Sequence, residues 1–140
     1  MPLRRRRSTV VPPVRRILVG TDGSETAERA VAWAAEMAAR YSAELLLVSV
    51  VAEQDGDAET SLAERARELA GERGRAHLLV DDSPARALLG AARSHDVDVI
   101  VVGSVGMSGR REFLLDNVPN RVSHNAPCTV VIVDTLGRRR

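Results

Sequence analysis

None of the 20 basic residues in this 140-residue chain is a lysine; every one is arginine. Without lysine there is no Schiff-base chemistry, no pyridoxal attachment and no P-loop, whose grip on phosphate needs that side chain. A phosphorylated receiver domain loses an expected partner as well. Aromatic residues are almost as scarce, at 2%. The core must therefore be assembled from Val, Leu, Ile and Ala, and few rings are left to stack on a base or sugar. The single cysteine, Cys128, excludes an internal disulfide and a cysteine-rich metal site. The longest apolar runs, such as LLLVSVV, are too short to span a bilayer. The arginine-rich start lacks the apolar segment of a signal peptide. The expectation is a cytoplasmic protein with no membrane partner.

What is present suits one domain with a substantial core: 44% of residues are hydrophobic. Charge is unevenly placed. Residues 1–16 carry six arginines and no acid, and residues 138–140 are three more arginines. The stretch between holds 11 arginines against 19 acids, a formal −8. Residues 1–14 and 136–140 read as disordered basic tails around a folded body at 15–135. An acidic body argues against a nucleic-acid face, so a nucleic-acid partner is not expected.

The body alternates strand and helix. RRILVG (15–20) is a β-branched run closed by glycine. Ser24 then opens a helix with Glu25 and Glu28 in its first turn, where carboxylates favour the positive dipole end. AELLLVSVV (43–51) is apolar on both faces, as a parallel strand covered on each side should be. A polar loop AEQDGDAE leads to a helix over 61–74 that ends in glycines, then a strand over 75–80. Ser83 as cap and Pro84 in the first turn start a third helix. VDVIVVG (97–103) is the clearest strand; after a glycine-rich loop a short helix begins near Asp116 or Asn117, and CTVVIVD (128–134) is the last strand. The expected fold is α/β: a five-stranded parallel sheet in the order 3-2-1-4-5, Rossmann-like, with right-handed crossovers and helices on both faces.

In such a sheet, ligands bind beyond the carboxyl ends of the strands where the order reverses, here between strands one and four. The loops at that point are GTDGS (20–24) and GSVGMSG (103–109), the most glycine-rich in the chain. Gly20, Thr21 and Asp22 stand in the first loop, with Asp22 suited to accept from ribose hydroxyls. Gly103 and Gly106 let backbone approach a ligand, and Met107 and Arg110 follow. The helix starting near Asn117 and Val118 offers free N–H groups to phosphates, and Val50 offers an apolar surface to adenine. Each also has a plainer reading: Gly103 and Gly106 as strand closers, Asp22 as a helix cap, Val50 as core.

These residues resemble the universal stress protein family. The likeness runs over about 15–135, through ILVGTDGSETAERAVAWAAEMA, DVIVVGSVGMSG and VPNRVSHNAPCTVVIV. It implies a five-stranded parallel fold akin to the adenine nucleotide alpha hydrolases. It also implies a homodimer joined through the last strand (128–134), and a role in stress response with ATP or AMP as ligand. The family divides into nucleotide-binding and nucleotide-free members. Its binding motif resembles Gly-x-x-Gly, nine residues, then Gly and Ser or Thr. Gly103, Gly106 and the spacing match, but the closing pair is Asp116-Asn117.

A carboxylate about 4 Å from a phosphate charge costs roughly 1 kcal/mol in water and about 4 kcal/mol at an intermediate dielectric. Asp116 can evade that cost by facing solvent as a cap, or by holding Mg²⁺ that bridges to the phosphates. Arg110 and Arg111 add compensating charge. The primary reading is an adenine-nucleotide-binding regulator; the alternative is a nucleotide-free dimeric interaction module of the same fold. Catalysis is not expected. His77, His95 and His124 are dispersed and no general base is evident, so at most slow ATP hydrolysis is conceivable; no resident metal is expected.

Overall fold

The structure is a computed structural model that describes residues 10–104 and 118–135. Five strands form one parallel sheet: β1 (Arg16–Gly20), β2 (Glu44–Val51), β3 (Gly74–Val80), β4 (Val99–Gly103) and β5 (Thr129–Val133). Their order is β3-β2-β1-β4-β5, as the sequence led us to expect. Among the described residues four α-helices connect and flank them: α1 (Glu25–Tyr41), α2 (Gly56–Ala70), α3 (Pro84–Ser94) and α4 (Val118–Asn125).

The sheet is covered on both faces. Leu18, Leu46, Val48, Ile100 and Val102 pack against α3 and α4; Ile17, Val19, Leu45, Leu47 and Val101 pack against α1 and α2. Alternate residues of one strand thus enter different cores, which is why β2 reads as an unbroken apolar run. Leu18, Leu45, Leu47 and Ile100 are fully buried, each contributing roughly 1.5–3 kcal/mol relative to exposure. Helix α1 meets the sheet through Ala27, Ala30, Val31, Ala34 and Ala38, small residues that bring its backbone close.

The helix starts follow local chemistry. Ser24 caps α1 by accepting from the Ala27 N–H at 3.2 Å. Ser83 caps α3 by accepting from Arg86 N–H at 3.3 Å, with Pro84 in the first turn. Helix α2 departs from expectation. It begins inside the stretch read as a loop, because Asp55 accepts from the Ala58 N–H at 3.1 Å and caps it. It also ends at Ala70: Gly71, at φ +58, leaves the helix and a 3₁₀ turn (Gly71–Arg73) follows. Gly74 is therefore a strand residue. A Cβ there would fall on the carbonyl of Ala66, so glycine is what lets α2 lie against β3.

Candidate functional site

The carboxyl end of the sheet is built by hydrogen bonds that start at Thr21. This residue is 4% exposed. Its N–H donates to the Val48 carbonyl at 2.9 Å, its carbonyl accepts from Ser49 Oγ at 2.8 Å, and its Oγ1 accepts from the Gly23 N–H at 3.0 Å. Gly23 sits at φ +83, a conformation that favours glycine. Asp22 Oδ1 accepts from the Ser24 N–H at 2.9 Å, while Ser24, not Asp22, caps α1. The side chain of Asp22 is exposed, and its second oxygen has no partner among the described residues. It is an available acceptor at the end of β1.

β1 and β4 are hydrogen-bonded neighbours, with Leu18 opposite Ile100 and Val19 opposite Val101. The end of β4 is tied to β5: the Ser104 N–H donates to the Val133 carbonyl at 2.8 Å, and Ser104 Oγ accepts from the Thr135 N–H at 3.2 Å. Thr135 is 2% exposed, and a Cβ added at Gly103 would stand 2.6 Å from its Cγ2. Gly103 thus makes room for Thr135, a role internal to the protein.

Val50 is half-buried against the core beneath α3 and α4, and Val118 is buried in that same core. Both lie on one face of the sheet, and Gly20, opposite Val48 at the end of β1, is buried. The opposite face carries a hollow of about 310 Å³ lined by Thr21, Asp22, Ser49, Ser61 and the Glu28–Arg65 ion pair. Asp22 stands at its rim. Gly106, Met107, Arg110, Asp116 and Asn117 lie outside the described residues, as do residues 1–9 and 136–140. Ser49, Ser104 and Thr135 were not singled out in the sequence. Ser49, the one hydroxyl inside LLLVSVV, was the visible signal.

The amino end differs. A hollow of about 480 Å³ is lined by Val14, Ile17, Trp33, Met37, Tyr41 and Val131. Trp33, Met37 and Tyr41 recur every four residues along α1, and Trp33 and Tyr41 are the only residues of their kinds in the chain. Cys128 also lines it; burial, and then the charge of Asp98, push its thiol pKa up. Asp98 Oδ2 clamps the entry to β1, accepting from the N–H groups of Arg15 at 2.7 Å and Arg16 at 3.0 Å. His77 and His95, distant in sequence, stack with ring centroids 4.4 Å apart. Burial, then His95 and Arg75, lower the His77 pKa. Among the described residues no three His, Cys, Asp or Glu side chains are grouped to hold a metal, and no helix is long and apolar enough to cross a membrane.

The sequence profile of the Universal stress protein family matches residues 13–134. Universal stress protein Rv2005c of Mycobacterium tuberculosis is 37% identical over 135 residues; the match covers 83% of this chain but only 44% of that protein, so this chain spans about half the relative's length. Universal stress protein Rv1636 of the same organism is 32% identical over 140 residues, covering 85% of this chain and 95% of its own. Among solved structures, a universal stress protein in complex with cAMP superposes with a TM-score of 0.73 at 30% identity, covering 89% of this chain and 99% of its own.

Proposed function

We propose, from the premise that this chain belongs to the universal stress protein family, that it is a regulatory protein binding an adenine nucleotide in the crevice at the carboxyl ends of β1, β2 and β4. The observation that carries this reading is the unpartnered oxygen of Asp22, an exposed acceptor at the β1–β4 switch point. Asp22 would receive a ribose hydroxyl and the half-buried side chain of Val50 would lie against the base. Residues 105–117, with the start of α4, would supply N–H groups to the phosphates. Crystalline cAMP in a relative at 30% identity supports an adenosine phosphate as the ligand class. ATP or AMP, with or without Mg²⁺, is our specific proposal. The site holds and orients its ligand. We read the protein as a binder acting in stress response rather than as an enzyme.

The fully formed chain is also proposed to pair through β5. Its outer edge is unpaired among the described residues, and Ile132 on that strand is 48% exposed. A second copy across a two-fold axis would satisfy both.

Calorimetry and thermal melting with ATP, AMP and cAMP, with and without Mg²⁺, test the ligand. A nucleotide at 100 times its Kd should add about 2.7 kcal/mol to stability. Asp22→Ala should weaken binding about tenfold, the worth of one hydrogen bond of ~1.4 kcal/mol. Asp116→Gly should tighten it. A melting temperature indifferent to millimolar nucleotide under every condition would overturn the proposal in favour of a nucleotide-free interaction module.

A further inference from the structure

Helices α3 and α4 lie side by side over a shared apolar seam of Leu88, Leu89, Val118 and Val122. On their solvent side is a hollow of about 310 Å³ whose lining is Arg86, Leu89, Arg93, Arg121 and Asn125. Three arginines line it and no carboxylate does; the Arg86 guanidinium is turned to Asp81 and Asp82, outside the hollow. That is unexpected in a body where residues 17–137 hold 11 arginines against 19 acids. Arg86 and Arg93 are two turns apart on one side of α3; Arg121 and Asn125 are one turn apart on α4.

Two of these charges, on Arg93 and Arg121, have no carboxylate partner among the described residues. Arg86 is held from outside the hollow by Asp81 and by Asp82 at 2.7 Å. Arg93 reaches only the Asn125 carbonyl, at 3.4 Å, and the Arg121 guanidinium has no partner among the described residues. The helix dipole accounts for Arg93, in the last turn of α3, but opposes Arg86, in the first. Apart from Leu89 and Asn125, the lining is cationic; Asn125 Nδ2 donates to the Arg121 carbonyl at 2.8 Å. A lone carboxylate would satisfy one guanidinium; an oxyanion with several charged oxygens can accept from both Arg93 and Arg121, in the forked geometry that arginine prefers.

We propose that this groove binds a small, multiply charged anion of the phosphate class, independently of the nucleotide crevice. The anion is either inorganic or the phosphate end of a nucleotide. It bridges α3 to α4, and so links the helix after β3 to the one that precedes β5.

The test is a titration of the full ¹⁵N-labelled chain with inorganic pyrophosphate, and separately with AMP, followed by NMR. Saturable shifts are expected at Leu89, Arg93, Arg121 and Asn125, with affinity falling several-fold when salt is raised, as for any screened, exposed pairing. Arg93→Gln with Arg121→Gln should lower affinity at least tenfold at unchanged melting temperature. Arg29→Gln with Arg73→Gln, an equal charge change elsewhere, should leave it intact. Pyrophosphate acting alone identifies an inorganic anion, and AMP shifting the same four residues identifies a nucleotide phosphate. Equal affinity in the Arg93–Arg121 variant, or shifts confined to the surroundings of Asp22 and Ser104, would overturn the proposal. Because the readout is by residue, its failure is separable from failure of the nucleotide crevice.

Discussion

The two ends of the sheet are finished by different chemistry. At the carboxyl end, Thr21, Ser49, Ser104 and Thr135 close the strands with hydroxyl and backbone hydrogen bonds, leaving an acceptor oxygen of Asp22 in the open. At the amino end, closure comes from a clamped carboxylate at Asp98, an ion-paired Glu44, a histidine stack and an apolar hollow holding the only Trp and Tyr. The comparison teaches why one end suits a polar ligand. Its own polar groups are satisfied locally, so the turn is held in place while one acceptor points outward. The other end spends its charged groups on holding the chain together.

Two glycines sharpen the comparison. At the amino end, a methyl on Gly74 meets the backbone carbonyl of Ala66, which has nowhere to go. Gly74→Ala should cost roughly 3 kcal/mol, read as a fall in melting temperature of roughly 10 °C. Trimming the neighbour by Ala66→Gly should not restore it, since the obstructing atom is backbone. At the carboxyl end, Gly103→Ala meets only the Cγ2 methyl of Thr135, at 2.6 Å. That side chain can turn, so the loss should be about 1 kcal/mol. Adding Thr135→Ser, which lacks the methyl, should recover most of it. Equal losses at the two glycines, or failure of the serine rescue, would erase the distinction drawn between backbone and side-chain contact.

A smaller effect separates the ends by pH. Burial and the adjacent His95 hold the His77 pKa below its ordinary value of about 6.5. The folded protein then binds fewer protons than the unfolded chain in mildly acidic solution. The stack's contribution is complete above about pH 6.5 and is lost as pH falls towards the lowered folded value. Melting temperature should therefore drop more steeply from neutral to mildly acid pH in the parent chain than in His77→Gln. Parallel curves for the parent and His77→Gln would show that the amino end has no acid-sensitive clasp.

Much of the fold was legible because its signals are short-ranged. Ser24 before Glu25 and Ser83 before Pro84 announce helix starts within one turn, and β2 announces a two-sided strand by its apolar run. The start of α2 was missed although Asp55 was a competent cap, because the polar residues around it look the same in a loop and in an exposed first turn. The glycines at 71 and 74 were read together as a helix end. Gly71 does that, by its positive φ, but the reason for Gly74 is a carbonyl eight residues back on a packed helix. Of the candidate site, Asp22 and Val50 could be proposed from strand ends and topology. The contribution of Thr135 to the end of β4 could not, since it depends on β5 lying beside β4.

The sequence by itself determined which segments are strand or helix, where α1 and α3 begin, the sheet's buried character and the loops that leave its carboxyl end. These depend on residues within a turn or two of each other. Only the tertiary structure decided that Gly103 accommodates Thr135, that His77 meets His95, that Trp33 and Tyr41 share a hollow with Val14 and Val131, and that arginines of α3 and α4 line another. Each of these brings together residues of different elements, whose separation along the chain carries no periodic signal, so their meeting is set by how helices and strands stack rather than by local preference.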